Sequence, residues 1–230
     1  MGFYLKMPVD WKKTAEKYRG RLAFGGIDLS SVSDLTVWVL VFPDPNEWEK
    51  IDILSRIWCP EARLTDKKNK YRAQYQGWAR ENWIETTDGN AIDYDYVRHR
   101  IVEDAHIFNI ESIALDRLFQ GYEFATKLND ELYGSEKAPK VFTCGMGYLS
   151  MGPLCQELER RLLLGYVNHG GNPVLRWMAD NTAVSTDPAG NRKPNKSESQ
   201  GKIDGIIGIL LGMDRQMRSD NKPMMLPVFF

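Results

Sequence analysis

The chain of 230 residues is long enough for one large domain with a substantial core, and its 43% hydrophobic and 27% charged residues exclude a disordered or fibrous protein. Its longest apolar runs, residues 35–42 and 206–213, are far shorter than the roughly 20 residues of a membrane span, so no membrane partner is expected. The net charge of −1 means that any nucleic-acid binding must rely on local basic patches or on a larger assembly.

The first residues and the cysteines indicate the cellular compartment of the protein. The opening MGFYLKMPVDWKK has no apolar stretch followed by a small-residue cleavage site, so we predict no secretory signal. Cys59, Cys144 and Cys155 are odd in number and form no C-x-x-C pair. This pattern favours a reducing compartment and argues against a structural zinc site.

The N-terminal part of the chain predicts a polar arm followed by three strands. Residues 11–21 are polar and basic and are typical of an arm or connector. Residues 21–29 and 35–42 are rich in apolar and β-branched side chains and are separated by a polar turn, so they predict two adjoining strands. The alternating segment 50–58 predicts a third strand, which Pro60 ends.

The middle of the chain predicts a change to helices and then a fourth strand. Residues 61–83 carry aromatic side chains at helical spacing and predict an amphipathic helix or a pair of helices. A turn at 87–89 follows, and Asp93 is a suitable N-cap for the next helix. Residues 110–116 predict a strand that ends on an aspartate.

The C-terminal half alternates between helices and short strands. The pattern predicts helices at 122–133, 153–164, 172–181 and 202–218, a short strand at 140–144 and a polar hairpin at 183–196. Three consecutive strands, a helix and then alternation is the element order of the ribonuclease H-like fold. We therefore expect an α/β protein with a mixed β-sheet flanked by helices on both faces.

Three aspartates fall where this fold would bring them together. Asp28 lies in the first strand and Asp116 ends the fourth, and these two strands run side by side and parallel in this fold. Asp204 opens the last helix, which carries a stripe of small residues at Gly201, Gly205, Gly208 and Gly212. The stripe would let a neighbouring backbone approach closely and would press Asp204 toward the sheet.

Three carboxylates without basic partners repel one another, and a divalent cation relieves that repulsion. Oxygen-only ligands favour Mg²⁺ or Mn²⁺, and two such ions about 4 Å apart would activate a water and stabilise the leaving oxygen of a phosphodiester. This is nuclease chemistry. Each acid alone also has a structural explanation: a turn residue for Asp28, a strand-end cap for Asp116 and a first-turn helix acid for Asp204.

An ordered set of motifs carries a family resemblance. The motifs are residues 26–31, 34–36, 94–97, Asp116, 151–164, 169–178 and 202–205. Together they resemble the nuclease domain of bacteriophage large terminase subunits of the HK97-like branch, over residues 22–218. The resemblance implies a ribonuclease H-like endonuclease that uses two Mg²⁺ or Mn²⁺ ions to cut concatemeric double-stranded viral DNA.

The resemblance also assigns site residues. It implies that Asp28, Asp116 and Asp204 are the catalytic, metal-binding acids. Asp34 matches a recurrent acid beyond the first strand, and a turn that begins the next strand explains that residue equally well. The family often has an aromatic residue soon after the second acid, where this chain has Arg117-Leu118-Phe119.

Large terminases normally carry an ATPase motor ahead of the nuclease, but these 230 residues contain no G-x-x-x-x-G-K-[ST] phosphate loop. We therefore expect residues 1–21 to be a connector remnant, 22–218 the nuclease domain and 219–230 a C-terminal tail. The implied partners are double-stranded DNA, the ATPase domain of the same large terminase, the small terminase subunit and the portal. The implied location is the cytoplasm of the host cell, with a phage or prophage as the source.

A basic patch next to the acids is the candidate DNA contact. Its members are Arg192, Lys193, Lys196 and Lys202. They would hold phosphates, although an exposed charged hairpin also explains them. His169 lies in a loop rich in Gly and Asn, where a proton donor, a phosphate contact and a packing role all remain open.

Two other functions of the whole chain also remain open: a non-catalytic docking module with vestigial acids, and a resolvase or transposase-like enzyme on the same fold.

Overall fold

A computed structural model describes residues 11–29, 35–117, 121–135 and 138–222. Asp34 and the Leu118-Phe119 pair of the sequence analysis lie outside these ranges. In chain order the elements are α1 (Trp11–Tyr18), β1 (Leu22–Asp28), β2 (Thr36–Pro43), β3 (Ile51–Pro60), α2 (Ala62–Thr65), α3 (Arg72–Arg80), β4 (Glu85–Thr87), α4 (Tyr94–Ile107), β5 (Asn109–Asp116), α5 (Gly121–Tyr133), β6 (Val141–Cys144), α6 (Tyr148–Leu163), β7 (Val167–Asn168), α7 (Pro173–Asn181), β8 (Val184–Thr186), β9 (Arg192–Pro194) and α8 (Asp204–Met217).

A seven-stranded mixed sheet forms the centre of the molecule. Its order is β4-β3-β2-β1-β5-β6, and β7 pairs with the first residues of β3. β2 runs antiparallel to β1 and β3, whereas β5 runs parallel to both β1 and β6. Every residue of β2 is buried, as its continuous apolar run predicts for a strand covered on both faces.

Helices cover both faces of the sheet. On one face α6, α7 and α8 bury residues such as Met151, Leu175 and Leu210. On the other face α1, α4 and α5 bury residues such as Tyr18, Ile101 and Leu128. These two apolar layers confirm the predicted α/β architecture. Within the described ranges, no helix has the length and apolar character needed to cross a membrane.

Helix α8 lies directly on β1 because both elements have glycine at the contact. A Cβ atom on Gly26 would lie 1.9 Å from the carbonyl oxygen of Gly208, and one on Gly208 would lie 2.8 Å from Val39 Cγ2. The first distance is impossible without moving the backbone, and the second requires the Val39 side chain to shift. The glycine stripe of α8 therefore sets how closely the helix, and Asp204 at its start, approach the sheet.

The segment predicted to be an arm contains the helix α1, which packs on the domain. The ring centroids of Tyr18 and Phe42 are 4.7 Å apart, and the Gly20 amide donates to the Ile107 carbonyl at 2.9 Å. α1 thus adds to the core beneath one face of the sheet. The assignment of residues 1–21 as a connector stays a prediction.

Three local features differ from the sequence prediction. Helix α6 begins at Tyr148 rather than at Pro153, which lies inside the helix. Proline is most common at the first position of a helix, and this preference places the predicted start five residues too late. β4 and β7 were not predicted, because strands of three and two residues are too short for an alternating pattern to stand out.

The cap of α4 offers a test of local stability. Asp93 Oδ1 accepts hydrogen bonds from the backbone amides of Asp95 and Tyr96, both at 3.0 Å. Asp93→Ala removes both bonds, so we expect the free energy of unfolding in urea to fall by about 1 kcal/mol. The exposed Asp88, which caps no helix, is the control, and Asp88→Ala should leave the stability unchanged. Equal losses in the two variants would contradict the cap's role.

Candidate active site

A cavity of about 720 Å³ opens at the carboxyl ends of β1 and β5. Its lining includes Asp28, Asp116, Asp204, Lys193, Lys196 and Lys202. The three acids proposed from the sequence therefore border one cavity, together with three of the four basic residues of the predicted DNA patch.

Strand pairing places the first two acids next to each other. β1 and β5 are parallel, with Ile27 opposite Leu115, and each strand ends at the following residue. Asp28 and Asp116 therefore leave neighbouring strands at the same edge, where strands are about 4.8 Å apart. Asp28 is buried and Asp116 is partly exposed. This confirms the parallel pairing on which the sequence analysis relied.

The third acid comes from the start of α8. Asp204 is the first residue of that helix and is 5% exposed. The partial positive charge of the helix N-terminus stabilises a carboxylate at this position. Close contact between the glycine stripe of α8 and β1 brings Asp204 to the same edge as Asp28.

A lysine joins two of the acids. Lys196 Nζ donates to Asp28 Oδ2 at 2.8 Å and to Asp204 Oδ1 at 3.0 Å. The loop after β9 holds this lysine, because Asn195 Oδ1 accepts from the Ser197 and Glu198 amides at 3.0 and 3.3 Å. The expectation that the acids have no basic partner was therefore wrong. Lys196 had been predicted only as a DNA contact.

The electrostatics of this cluster favour a cation of higher charge. Burial raises the pKa of Asp28, the Lys196 ammonium lowers it, and the nearby Asp204 raises it again. Burial opposes the charge on Lys196, but the two carboxylates outweigh that effect and raise the pKa of the ammonium. Two buried carboxylates thus share a single positive charge, and the net effect is a raised pKa for Asp28, so this carboxyl keeps its proton more readily than a free aspartate. A divalent cation would replace both that proton and the ammonium.

The residues fit a hard divalent cation. The carboxylate oxygens are ligands that Mg²⁺ and Mn²⁺ prefer, and Asp204 Oδ2 is buried with no hydrogen-bond partner among the described residues. The Lys196 ammonium shows that a cation can sit between Asp28 and Asp204. Among the described residues, no three acidic, histidine or cysteine side chains stand at metal-binding spacing. Ligation by all three acids therefore stays a prediction.

The β8–β9 hairpin forms one wall of the cavity. Lys193 Nζ lies 4.8 Å from the centre of the Tyr148 ring, and the Tyr148 hydroxyl donates to Ser185 Oγ at 3.2 Å. Tyr148 therefore fixes both the hairpin and one of its lysines. The sequence gives no signal for Tyr148, because Pro153 predicts a helix start beyond it.

Arg192 of the predicted DNA patch and the candidate contact His169 do not line the cavity. Arg192 forms an ion pair with Glu159 of α6. His169 follows β7, whose Asn168 pairs with Asp52 near the start of β3. The acids lie near the other end of that strand, since Asp28 pairs with Val37 and Val37 with Ile57. The cavity gives no support to a DNA contact at His169.

Comparisons with known proteins agree with this arrangement. A family model described as "Terminase large subunit, endonuclease domain" matches residues 9–220. The large terminase subunit of Enterobacteria phage HK97 is 34% identical over 193 residues, which are 83% of this chain and 36% of that protein.

Solved structures give the same result at the level of the fold. The crystal structure of the HK97 bacteriophage large terminase superimposes with a TM-score of 0.72 and 29% identity, covering 90% of this chain and 43% of that chain. The large terminase nuclease of thermophilic phage G20c, solved with bound magnesium, has a TM-score of 0.55 and 11% identity. That match covers 86% of this chain and 85% of that chain, and it supports the fold alone.

The chain spans less than half the length of the HK97 protein, and the match coincides with the nuclease part of the family. The family model covers almost the whole chain, including the cavity with Asp28, Asp116 and Asp204. This protein belongs to the family of terminase large subunit endonuclease domains.

Proposed function

We propose that this domain is the metal-dependent DNA endonuclease of a viral genome-packaging terminase. It would cut concatemeric double-stranded DNA by phosphodiester hydrolysis with two Mg²⁺ or Mn²⁺ ions. The observation that carries the proposal is the convergence of Asp28, Asp116 and Asp204 on one cavity that also contains lysines. The magnesium in the G20c nuclease accords with this choice of ions.

The three acids would hold the ions, which when bound would supply an activated water and neutralise charge on the phosphate. The chain's own residues would do the rest. Lys193 and Lys202 line the cavity and would attract the DNA backbone toward the acids. The contact with Tyr148 limits the positions that the Lys193 ammonium can take. Burial of Asp28 and Asp204 keeps their carboxylates in place in the apo protein.

The proposal extends to the assembly that the relatives imply. The partners would be the ATPase domain of the same large terminase, the small terminase subunit and the portal, with DNA as the substrate. Since concatemeric viral DNA is inside the infected cell, the site of action would be the host cytoplasm.

Lys196 should compete with divalent ions for the acids. Lys196→Ala leaves Asp28 and Asp204 without a counter-ion, so the metal-free domain should lose stability and gain more from a bound cation. We expect Mn²⁺ to raise the melting temperature of this variant by more than it raises that of the parent.

Lys193→Ala is the matched control for this experiment, because Lys193 lines the same cavity and its ammonium contacts the Tyr148 ring. Its Mn²⁺-induced shift should equal that of the parent. An equal shift in the parent and in Lys196→Ala would show that the ammonium does not occupy a metal position.

Digestion of a supercoiled plasmid tests the proposed function. With Mn²⁺ or Mg²⁺ the domain should convert the plasmid to nicked and linear forms, and with EDTA the plasmid should stay supercoiled. A folded domain that leaves the plasmid intact with both metals would contradict the proposal. Equal cleavage in EDTA would contradict its dependence on metal.

A further inference from the structure

A second cavity, of about 390 Å³, lies between the edge strand β6 and the helices α6 and α8. Arg215 and Arg218 line it, and Met151 borders both this cavity and the one that contains the acids. Arg117 lies at its wall, since a Cβ atom on Gly145 would be 3.6 Å from Arg117 Cζ. We call Arg117, Arg215 and Arg218 the arginine patch.

The arginine patch carries more positive than negative charge. Asp214 is the acid of this cavity, and its carboxylate accepts from Arg218 Nε at 2.7 Å and from Arg215 Nη1 at 3.5 Å. The cavity lining thus carries two guanidinium groups against one carboxylate, and Arg117 beside Gly145 adds a third, in a chain whose net charge is −1. Such a local excess of positive charge attracts anions.

The guanidinium groups of the arginine patch keep N–H donors available for a ligand. Arg117 is exposed and makes no side-chain hydrogen bond or ion pair with the described part of the chain. The side chain of Arg218 is 66% exposed, so donors other than Nε remain accessible. Arg215 is held in place with its Cζ 4.0 Å from the centre of the Phe142 ring, and its Nε is buried with no acceptor in the described part of the chain.

The patch lies next to the candidate active site. Arg117 directly follows Asp116, and Asp116 pairs with Cys144 of β6, which lines the second cavity. Neighbouring strands are about 4.8 Å apart, and successive phosphates of one DNA strand are about 3.4 Å apart along the helix axis. If one phosphate of a DNA strand lay at the acids, an adjoining phosphate would therefore be within reach of the arginine patch.

We propose that Arg117, Arg215 and Arg218 bind backbone phosphates of DNA beside the bond that is cut. This inference rests on the proposed nuclease function and extends its DNA path beyond the lysines of the first cavity. Guanidinium groups suit phosphates because their planar N–H donors match two oxygens at once. A free small anion shares this chemistry, and the test below separates it from DNA.

The test measures binding of a fluorescent random-sequence duplex by anisotropy, in EDTA and over a series of salt concentrations. We expect Arg117→Gln and Arg218→Gln each to weaken binding roughly tenfold at the lowest salt. Each should also reduce the slope of log K against log salt by about 0.9, which corresponds to one lost phosphate contact. The double variant should show both losses together.

Arg19→Gln is the matched control. Arg19 is exposed and ion-paired to Glu16 three residues before it, much as Arg218 pairs with Asp214, but it lies next to α1 on the opposite face of the sheet. The DNA affinity and the salt slope of this variant should equal those of the parent. Melting curves of each variant separate a lost contact from a lost fold, and Arg117→Gln breaks no described ion pair.

Unchanged affinity and slope in the double variant would overturn the inference, as would a parent that binds no DNA at low salt. Inorganic phosphate at matched ionic strength is the second arm. If it stabilises the parent but not Arg218→Gln while DNA binding is equal in both, the patch holds a small anion instead. The assay needs neither metal nor cleavage, so loss of binding in the variants supports the patch even if the parent fails to cut plasmid.

Discussion

Replacing Asp28, Asp116 or Asp204 with Asn should lower Mn²⁺-dependent DNA cleavage at least about 100-fold in each case. The three side chains border one cavity, so the loss of one carboxylate changes both the charge and the position of any bound ion. Asn has nearly the same shape as Asp and limits the change to charge and ligand strength. Initial rates of plasmid nicking over a range of Mn²⁺ concentrations provide the measurement.

Two controls accompany these variants. Asp88→Asn removes an exposed acid that does not line the cavity, and its nicking rate should equal that of the parent. DNA binding in EDTA should survive in all three variants, because removing a negative charge does not weaken contacts to phosphate. Full activity of any one variant would remove that acid from the site.

Gly26→Ala adds a single methyl group, yet it should cause one of the largest losses of stability of any substitution in this protein. The added methyl carbon would lie 1.9 Å from the Gly208 carbonyl oxygen and 2.5 Å from the Gly212 amide nitrogen. Both are backbone atoms of α8, so the helix must move away from β1. We expect a loss of about 3 kcal/mol in the free energy of unfolding, or roughly 10 °C in melting temperature.

Gly77→Ala is the matched control for this substitution. Gly77 lies inside α3 with nothing within 4 Å of its ideal Cβ position, so alanine should stabilise the protein by about 0.5–1 kcal/mol. Even at temperatures where the Gly26→Ala protein is still folded, its rate of DNA cleavage should be lower than that of the parent, because α8 carries Asp204. A Gly26→Ala protein that melts like the parent would show that the close contact of α8 with β1 does not position this acid.

The sequence predicts the sheet and its acids because strong patterns coincide there. Residues 35–42 form an uninterrupted apolar run and become the buried central strand β2. Asp28 and Asp116 stand at the ends of apolar strands, where a polar residue is conspicuous. The glycine stripe of α8 is visible as a periodic pattern that predicts close approach of a neighbouring backbone, and the structure shows that this backbone is β1 at Gly26.

The rest of the site depends on contacts between distant segments. Lys196 lies 168 positions from Asp28, and only the folded loop after β9 brings its ammonium to that carboxylate. The arginine patch joins residues from the end of β5 and from α8, so no local basic run reveals it. Arg192 looks in the sequence like its neighbour Lys193, yet an ion pair with Glu159 engages it outside the cavity lining.

Diffraction from crystals grown with Mn²⁺, recorded for the anomalous signal of manganese, tests the central claim most directly. The account predicts two anomalous peaks about 4 Å apart within bonding distance of Asp28, Asp116 and Asp204, with the Lys196 ammonium displaced from Asp28 and Asp204. Crystals saturated with Mn²⁺ that show no peak at these acids, and keep Lys196 between them, would contradict it.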